Sequence, residues 1–300
     1  MTSLSPEFRS TTSLDETLQT LAELGPDGHL LAGGTDVMRR FNRGGLQLST
    51  LVHIARVPGL AGIRVEPTAA GEGLAIGSLA THWGLQESTE VGLRYPALVK
   101  AASLVGGWQT QATGTVGGNL GAADAADLVT PLMVHGAVVE LASVRGTRSD
   151  PIESFVTGRR TTSCLPDELV TGVRLEPVPT RTAEDFVKVG RRGAMERSIV
   201  AVTVRLTLMP DSDAIADARI AVAGAAPAAY RAHAAEELLR GQVPGEALWA
   251  EVAAAVTAQA DPVDDVYASR SYRLRVLPRV VTRSLRTCVD AVHRREERKP

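Results

Sequence analysis

Two glycine-rich segments carry the residue types best suited to hold a phosphorylated ligand. The first reads Ala32-Gly33-Gly34-Thr35-Asp36, and the second reads Thr113-Gly114-Thr115-Val116-Gly117-Gly118-Asn119. Paired glycines allow backbone conformations that other residues rarely adopt, and successive N–H groups can then converge on an anion. The threonine hydroxyl groups and the Asn119 amide add further donors. These groups suit a pyrophosphate or a ribityl chain, although each glycine pair taken alone is explained equally well as a tight turn.

Neither segment matches the commoner nucleotide-binding patterns. The sequence contains no G-x-x-x-x-G-K-[ST], which excludes a P-loop enzyme. The nearest approach to G-x-G-x-x-G is Gly71-Glu72-Gly73, which has Ile76 at the position of the third glycine. The strand-like runs GIRVEP and GLAIGS flank this point, so a β-hairpin explains it better. No pattern indicates a catalytic acid, base or nucleophile, or a metal site, and we assign none.

The neighbouring elements determine where these segments lie. A helix is predicted after Ser13, with Glu16 completing a capping box and Gly25 ending the helix. A short strand over 29–32 leads into the first glycine segment. A helix over 126–135 follows the second, and Asp127 enters that helix. Its carboxylate is therefore placed to accept hydrogen bonds from ribose or ribityl hydroxyl groups.

The C-terminal part of the sequence predicts an antiparallel sheet and then helices. Strands are predicted over 185–189, 199–209 and 218–223, and the closing helices over 231–239, 245–258 and 272–294. In the N-terminal part, a further helix is predicted over 93–104. In the second of these strands Thr203, Arg205 and Thr207 share one face, which we expect to be wet. Pro278 must lie in the first turn of the last helix or kink it.

Mixed helices and strands place the chain in the α+β class. Pro177 and Pro179 form the best linker candidate. We therefore predict an N-terminal domain over 1–176, made of two parts over about 1–61 and 62–176, and a C-terminal domain over 177–300.

The bulk composition is that of an ordinary globular chain. Of 300 residues, 44% are hydrophobic and 22% are charged. No run of about 18 apolar residues occurs, and the N-terminus lacks the order of a secretory signal, so we expect a cytoplasmic protein without a membrane span. Two cysteines, Cys164 and Cys288, are too few for a disulfide framework or an iron–sulfur cluster held by this chain alone.

Positive charge is concentrated at the C-terminus. Residues 269–300 contain ten Lys/Arg and three Asp/Glu, whereas the whole chain has a net charge of −2. Apart from Tyr272, no aromatic residue that could stack on bases lies among these arginines, and we do not expect nucleic acid as a partner. The segment is either a solvated helix face or a docking surface for an acidic partner subunit.

Taken together, these segments resemble the FAD-binding medium subunit of the xanthine dehydrogenase and carbon monoxide dehydrogenase family of molybdenum hydroxylases. LLAGGTDVMRR is similar to the family's first flavin loop, and TGTVGGNLGAADAADLVTPLM to its second. GSLATH, PDELVTGVRLEP, FVKVGRRGAMERSIVAV, IAVAGAAPAAYRA and SRSYRLRVLPRVVTRSL resemble further segments in the family's order. The resemblance covers nearly the whole chain. It implies a bipartite FAD-binding domain of the vanillyl-alcohol oxidase or PCMH type, followed by a C-terminal domain like that of the CO dehydrogenase flavoprotein.

The resemblance also implies FAD as the cofactor and names its binding residues. Residues 32–36 and 115–119 would line the pyrophosphate and its surroundings. Asp127 would hold ribityl or ribose hydroxyl groups, and Lys188 matches a family lysine near the flavin ring. Thr81 is a weaker candidate. Arg159 and Arg160 stand in a segment where many relatives carry an aromatic near the isoalloxazine ring.

In the family, substrate chemistry takes place at a molybdopterin cofactor on a large subunit. Electrons pass through 2Fe–2S clusters of a small subunit to FAD, and then to NAD, oxygen, a quinone or another acceptor. We therefore expect both subunits as partners, and no extra cluster, because the cysteine-bearing insertion of the benzoyl-CoA-reducing branch is missing. A stand-alone FAD-dependent oxidase or dehydrogenase acting on a small molecule is the alternative. A scaffold subunit that has lost FAD is disfavoured by the intact glycine segments.

Overall fold

The first region of the fold is a small parallel sheet with short helices. The computed structural model describes residues 5–123, 127–193 and 195–297. The strands of the first region pair in the order β1-β3-β2, and its elements are β1 (Glu7–Ser10), α1 (Leu14–Leu24), β2 (Gly28–Leu31), α2 (Val37–Asn42) and β3 (Thr50–His53). The predicted start of α1 is confirmed, since Ser13 Oγ accepts from the Glu16 N–H at 3.2 Å. The Glu16 carboxylate accepts from the Thr12 N–H at 2.7 Å and not from the N-cap itself.

The second region surrounds an antiparallel sheet in the order β4-β5-β10-β6-β7. The predicted hairpin is confirmed as β4 and β5. The elements of the second region are β4 (Ile63–Thr68), β5 (Gly71–Gly77), α3 (His82–Glu87), α4 (Thr89–Arg94), α5 (Pro96–Ser103), α6 (Trp108–Thr113), α7 (Val116–Ala122), α8 (Val129–Val134), β6 (Val138–Ser143), β7 (Gly146–Pro151), α9 (Ile152–Phe155), β8 (Val156–Gly158), β9 (Thr161–Thr162) and β10 (Leu169–Leu175). The helix predicted over 93–104 is interrupted, because Pro96 disfavours helical geometry at Tyr95 and begins α5.

The third region is the predicted antiparallel sheet, in the order β11-β12-β13-β14, with helices packed on it. Its elements are β11 (Thr182–Val189), β12 (Val200–Leu208), β13 (Ile215–Ala223), β14 (Tyr230–Arg231), α10 (His233–Leu239), α11 (Glu246–Ala258) and α12 (Arg270–Glu297). Pro278 lies inside α12 and not in its first turn. Among the residues described here, no helix combines the length and the apolar composition that crossing a bilayer requires.

The polar face of β12 is buried, so the expectation that it faces solvent is wrong. Thr203, Arg205 and Thr207 are at most 6% exposed. Thr203 donates to the Thr130 hydroxyl of α8 at 2.8 Å, and Arg205 pairs with Asp217 at 2.9 Å. The face is covered because helices of the second region pack on the third-region sheet. A strand pattern shows which side chains share a face, whereas a packed helix decides whether that face is wet.

The second and third regions also share apolar core. Phe186, Ala201 and Ala221 of the third-region sheet belong to the same buried cluster as Leu132 and Leu98. Residues 176–181 connect β10 to β11 through an irregular stretch and a turn. Residues from both sides of this connection belong to one apolar core, so the domain boundary placed there stays a prediction.

Candidate functional site

The two glycine segments lie against each other. The first connects β2 to α2, and the second spans the end of α6 and the start of α7. A Cβ atom on Gly33 would lie 1.7 Å from the Thr113 carbonyl oxygen, and one on Gly117 would lie 2.7 Å from Ser78 Cβ. Packing of the segments on protein atoms is therefore enough to require glycine at both positions.

The first segment keeps its backbone donors available. Within the described part of the chain, no N–H group from Ala32 to Val37 donates to a protein acceptor. Gly34 has φ +68°, in the left-handed region. Consecutive free amides around a left-handed residue, followed by a helix start, form the concave anion-binding arrangement called a nest. This segment fits the pyrophosphate of a dinucleotide.

The second segment uses its donors within the protein. The Val116 and Gly117 N–H groups donate to the Ala80 and Ser78 carbonyls at 2.9 and 2.8 Å. Thr115 caps α7, because its Oγ1 accepts from the Gly118 N–H at 3.1 Å and its carbonyl from the Asn119 N–H at 2.9 Å. Of the two glycine pairs, only the first therefore leaves both N–H groups without a protein acceptor among the described residues, and its binding of an anion stays a prediction. The second segment positions the first, and Thr81 joins it through a bridge to Thr115.

Asp36 pairs with arginines and does not cap α2. Its carboxylate lies 2.6 Å from Arg39 Nη2 and 3.3 Å from Arg160 Nη1. Partial burial alone would raise the pKa of Asp36, but the Arg39 hydrogen bond and the Arg160 charge together hold it below its usual value. The neighbouring Thr35 side chain is exposed.

Asp127 and Lys188 form a buried ion pair. Lys188 Nζ lies 2.6 Å from Asp127 Oδ2 and also donates to the Leu104 carbonyl at 2.8 Å. Ser198 Oγ donates to the other carboxylate oxygen of Asp127. Burial raises the pKa of Asp127, and the Lys188 charge and both hydrogen bonds oppose that shift. Nearby, the Asn119 side-chain oxygen accepts from the Leu128 N–H at 3.4 Å.

A cavity of about 270 Å³ adjoins this pair. Ser198 lies in its wall, together with Ala123 at the end of α7 and Arg159 at the tip of the β8–β9 hairpin. Ser198 and most of the other lining residues, including Gly224 and Tyr267, belong to the third region. None of the predicted site residues lines this cavity, and Ser198, which donates to Asp127, connects it to the buried pair. Residues 124–126 of the similar segment ADAADL lie outside the described residues.

Ser78, His82 and Ser198 lie in segments that resemble the family, but the sequence patterns assigned no role to these three residues. Ser78 Oγ and His82 Nδ1 are buried beneath the second glycine segment without a hydrogen-bond partner among the described residues. Burial lowers the pKa of His82 to about 4, so the ring is neutral near pH 7. The burial of each of these three side chains depends on residues distant in sequence. No group of three or more His, Cys, Asp or Glu side chains in the described ranges is arranged to bind a metal ion.

Comparison with known families matches the chain in two parts. Residues 5–179 match the FAD binding domain in molybdopterin dehydrogenase, and residues 185–288 match the CO dehydrogenase flavoprotein C-terminal domain. The 6-hydroxypseudooxynicotine dehydrogenase complex subunit alpha of Paenarthrobacter nicotinovorans is 31% identical over 94% of this chain and 93% of its own length. The xanthine dehydrogenase FAD-binding subunit of Escherichia coli O157:H7 is 29% identical over 95% of this chain and 96% of its own.

Solved structures agree with this match. A chain of the carbon monoxide dehydrogenase from Hydrogenophaga pseudoflava superposes with a TM-score of 0.91 at 27% identity, covering 97% of this chain and 99% of that chain. A chain of quinoline 2-oxidoreductase from Pseudomonas putida 86 gives a TM-score of 0.88 at 26% identity. The α+β class, with an FAD-binding part followed by a flavoprotein C-terminal part, is therefore confirmed.

Proposed function

Because the chain belongs to the FAD-binding subunits of the molybdenum hydroxylase family, an oxidoreductase family, we propose that it is the electron-exit subunit of such a complex. It would accept electrons from 2Fe–2S clusters of a small subunit and pass them to NAD, oxygen or a quinone. The large subunit would carry the molybdopterin cofactor. Homologues are medium subunits of multi-subunit complexes, which supports these partners.

The free backbone amides of the first glycine segment are the observation that best supports FAD binding by this chain. Ala32, Gly33, Gly34, Thr35 and Asp36 would hold the FAD pyrophosphate through backbone N–H groups, which need no reorganisation because the segment is already packed on Thr113. Thr115, Val116, Gly117, Gly118 and Asn119 would support that segment and border the cofactor.

The buried pair would act at the other end of the cofactor. When bound, FAD supplies one- and two-electron redox chemistry. The cavity beside Ser198 would receive the isoalloxazine ring, with Lys188 and Asp127 behind it. Fixed charges at this position would influence the reduction potential, and the enclosing walls would exclude water from one side of the ring.

Pre-steady-state electron transfer tests this role. The complex, purified with its partner subunits, is reduced anaerobically and mixed with NAD, oxygen or a quinone while the 2Fe–2S and flavin absorptions are followed. We expect rapid reoxidation of the clusters by at least one acceptor, and slow reoxidation in a complex that lacks this chain. Equal rates with and without the chain would contradict the proposal. A chain that oxidises a small molecule without partners would instead favour the stand-alone flavoenzyme.

A further inference from the structure

The tip of the β8–β9 hairpin is fixed against the end of α7. Arg160 adopts φ +63°, and its N–H donates to the Ala123 carbonyl at 3.0 Å. Ala123 is the last described residue before 124–126 and caps α7 in a left-handed conformation. Arg160 is therefore attached through its backbone to the end of α7, in a conformation that L-residues adopt only when their surroundings require it.

The Arg160 side chain reaches the first glycine segment. Its guanidinium lies 3.3 Å from the Asp36 carboxylate, across 124 positions of sequence. Arg39 and Arg40 of α2 also contact that carboxylate, at 2.6 and 3.8 Å. The two α2 guanidinium groups together carry more positive charge than this one carboxylate neutralises, next to the free amides of the nest. Arg160 belongs to a different element, and it connects the hairpin to the end of α7 and to the first glycine segment.

We propose that Arg160 binds the pyrophosphate of FAD, so that the β8–β9 hairpin closes the cofactor site through a side chain–phosphate contact. This inference rests on the proposed function, since it assigns a further residue to the same site. The planar guanidinium fork matches phosphate oxygens, and such charge-assisted hydrogen bonds are stronger than neutral ones. The Arg160 and Asp36 side chains are 28% and 27% exposed, so both are partly accessible to solvent. Binding would exchange a carboxylate partner for a phosphate partner without moving the backbone.

Ligand fragments separate phosphate binding from a structural role. The complex is stripped of flavin, and the affinities of FAD, ADP and riboflavin are measured by calorimetry for wild type, Arg160→Gln and Arg160→Lys. ADP contains the pyrophosphate without the ring, and riboflavin contains the ring without phosphate. We expect Arg160→Gln to weaken FAD and ADP at least about tenfold while riboflavin binding stays within about twofold. Arg160→Lys should recover part of the loss, because it keeps the charge without the fork.

Arg174→Gln is the matched control, because Arg174 is an exposed arginine paired with Glu140 on the sheet of the second region. Its affinities should equal those of wild type. Equal losses for all three ligands in Arg160→Gln would show a structural role and overturn the inference, as would unchanged ADP and FAD affinities. Failure of the wild-type complex to bind FAD would instead refute the proposed function itself.

Discussion

The ammonium group of Lys188 lies 2.6 Å from the carboxylate of Asp127, and both side chains are only 8% exposed. Lys188 belongs to β11 of the third region, whereas Asp127 precedes α8 of the second. The contact therefore joins the two regions at the candidate cofactor site. Removing one partner leaves an uncompensated charge in a poorly solvated place, which costs more than the pair contributes.

Lys188→Met should therefore lower the free energy of unfolding by roughly 3–5 kcal/mol. The Asp127→Asn/Lys188→Met double variant should lose less than the sum of the single losses, because neither buried charge remains. Urea unfolding of wild type, the two single variants and the double variant gives the four free energies of this double-mutant cycle. Arg174→Met is the control, since Arg174 and its partner Glu140 are both more than a third exposed. Additive losses at Asp127 and Lys188 would show that the two side chains act independently.

Protonation of His82 should destabilise the fold in mildly acidic solution. Its folded-state pKa is about 4, below the ordinary value of 6.5, so the unfolded chain binds more protons between these two pH values. Stability should consequently fall as the pH decreases from 6.5 toward 4, by at most about 3 kcal/mol from this group. His82→Gln should reduce that dependence in urea unfolding at pH 6.5 and 4.5. The same pH dependence in wild type and His82→Gln would exclude His82 as its source.

Glycine substitutions should separate packing from helix propensity. Gly33→Ala places a Cβ against the Thr113 carbonyl, where backbone must move, and should cost about 2 kcal/mol or more. Gly121→Ala, on an exposed part of α7 with nothing within 4 Å of the new Cβ, should stabilise by about 0.5–1 kcal/mol. Thermal unfolding distinguishes the two. A neutral Gly33→Ala would mean that the two glycine segments are not held in contact.

The local patterns of this sequence predicted local structure well. Capping residues predicted the start of α1, and the alternation of polar and apolar residues predicted β12. Paired glycines predicted both loops of the candidate site. What they could not supply was contact between distant residues. The burial of Arg205 depends on helices of another region, and the Asp127–Lys188 pair spans 61 positions. The distinct roles of the two glycine segments depend on which carbonyls lie opposite their N–H groups, and residue types do not reveal that.

The basic segment predicted as a docking surface forms an exposed stripe on α12. Arg275, Arg279 and Arg283 recur every four residues and are exposed, whereas Arg286 pairs with Glu246 at 2.8 Å. Reversal of the first three to Glu should reduce co-purification of the partner subunits at least about tenfold, because like charges at an interface are repulsive. Reversal of Arg56, Arg64 and Arg174, also exposed, is the charge-matched control. Undiminished co-purification of the α12 variant would exclude the stripe as a docking surface.

The cofactor content of the purified protein tests the central claim most directly. The chain is prepared alone and together with its partner subunits, its absorption spectrum is recorded, and any chromophore released by denaturation is identified. We predict bands near ~370 and ~450 nm from a flavin released as FAD, in an amount equal to this chain. A colourless preparation that also fails to take up added FAD, with and without partners, would contradict the assignment of this chain as a flavin-carrying subunit.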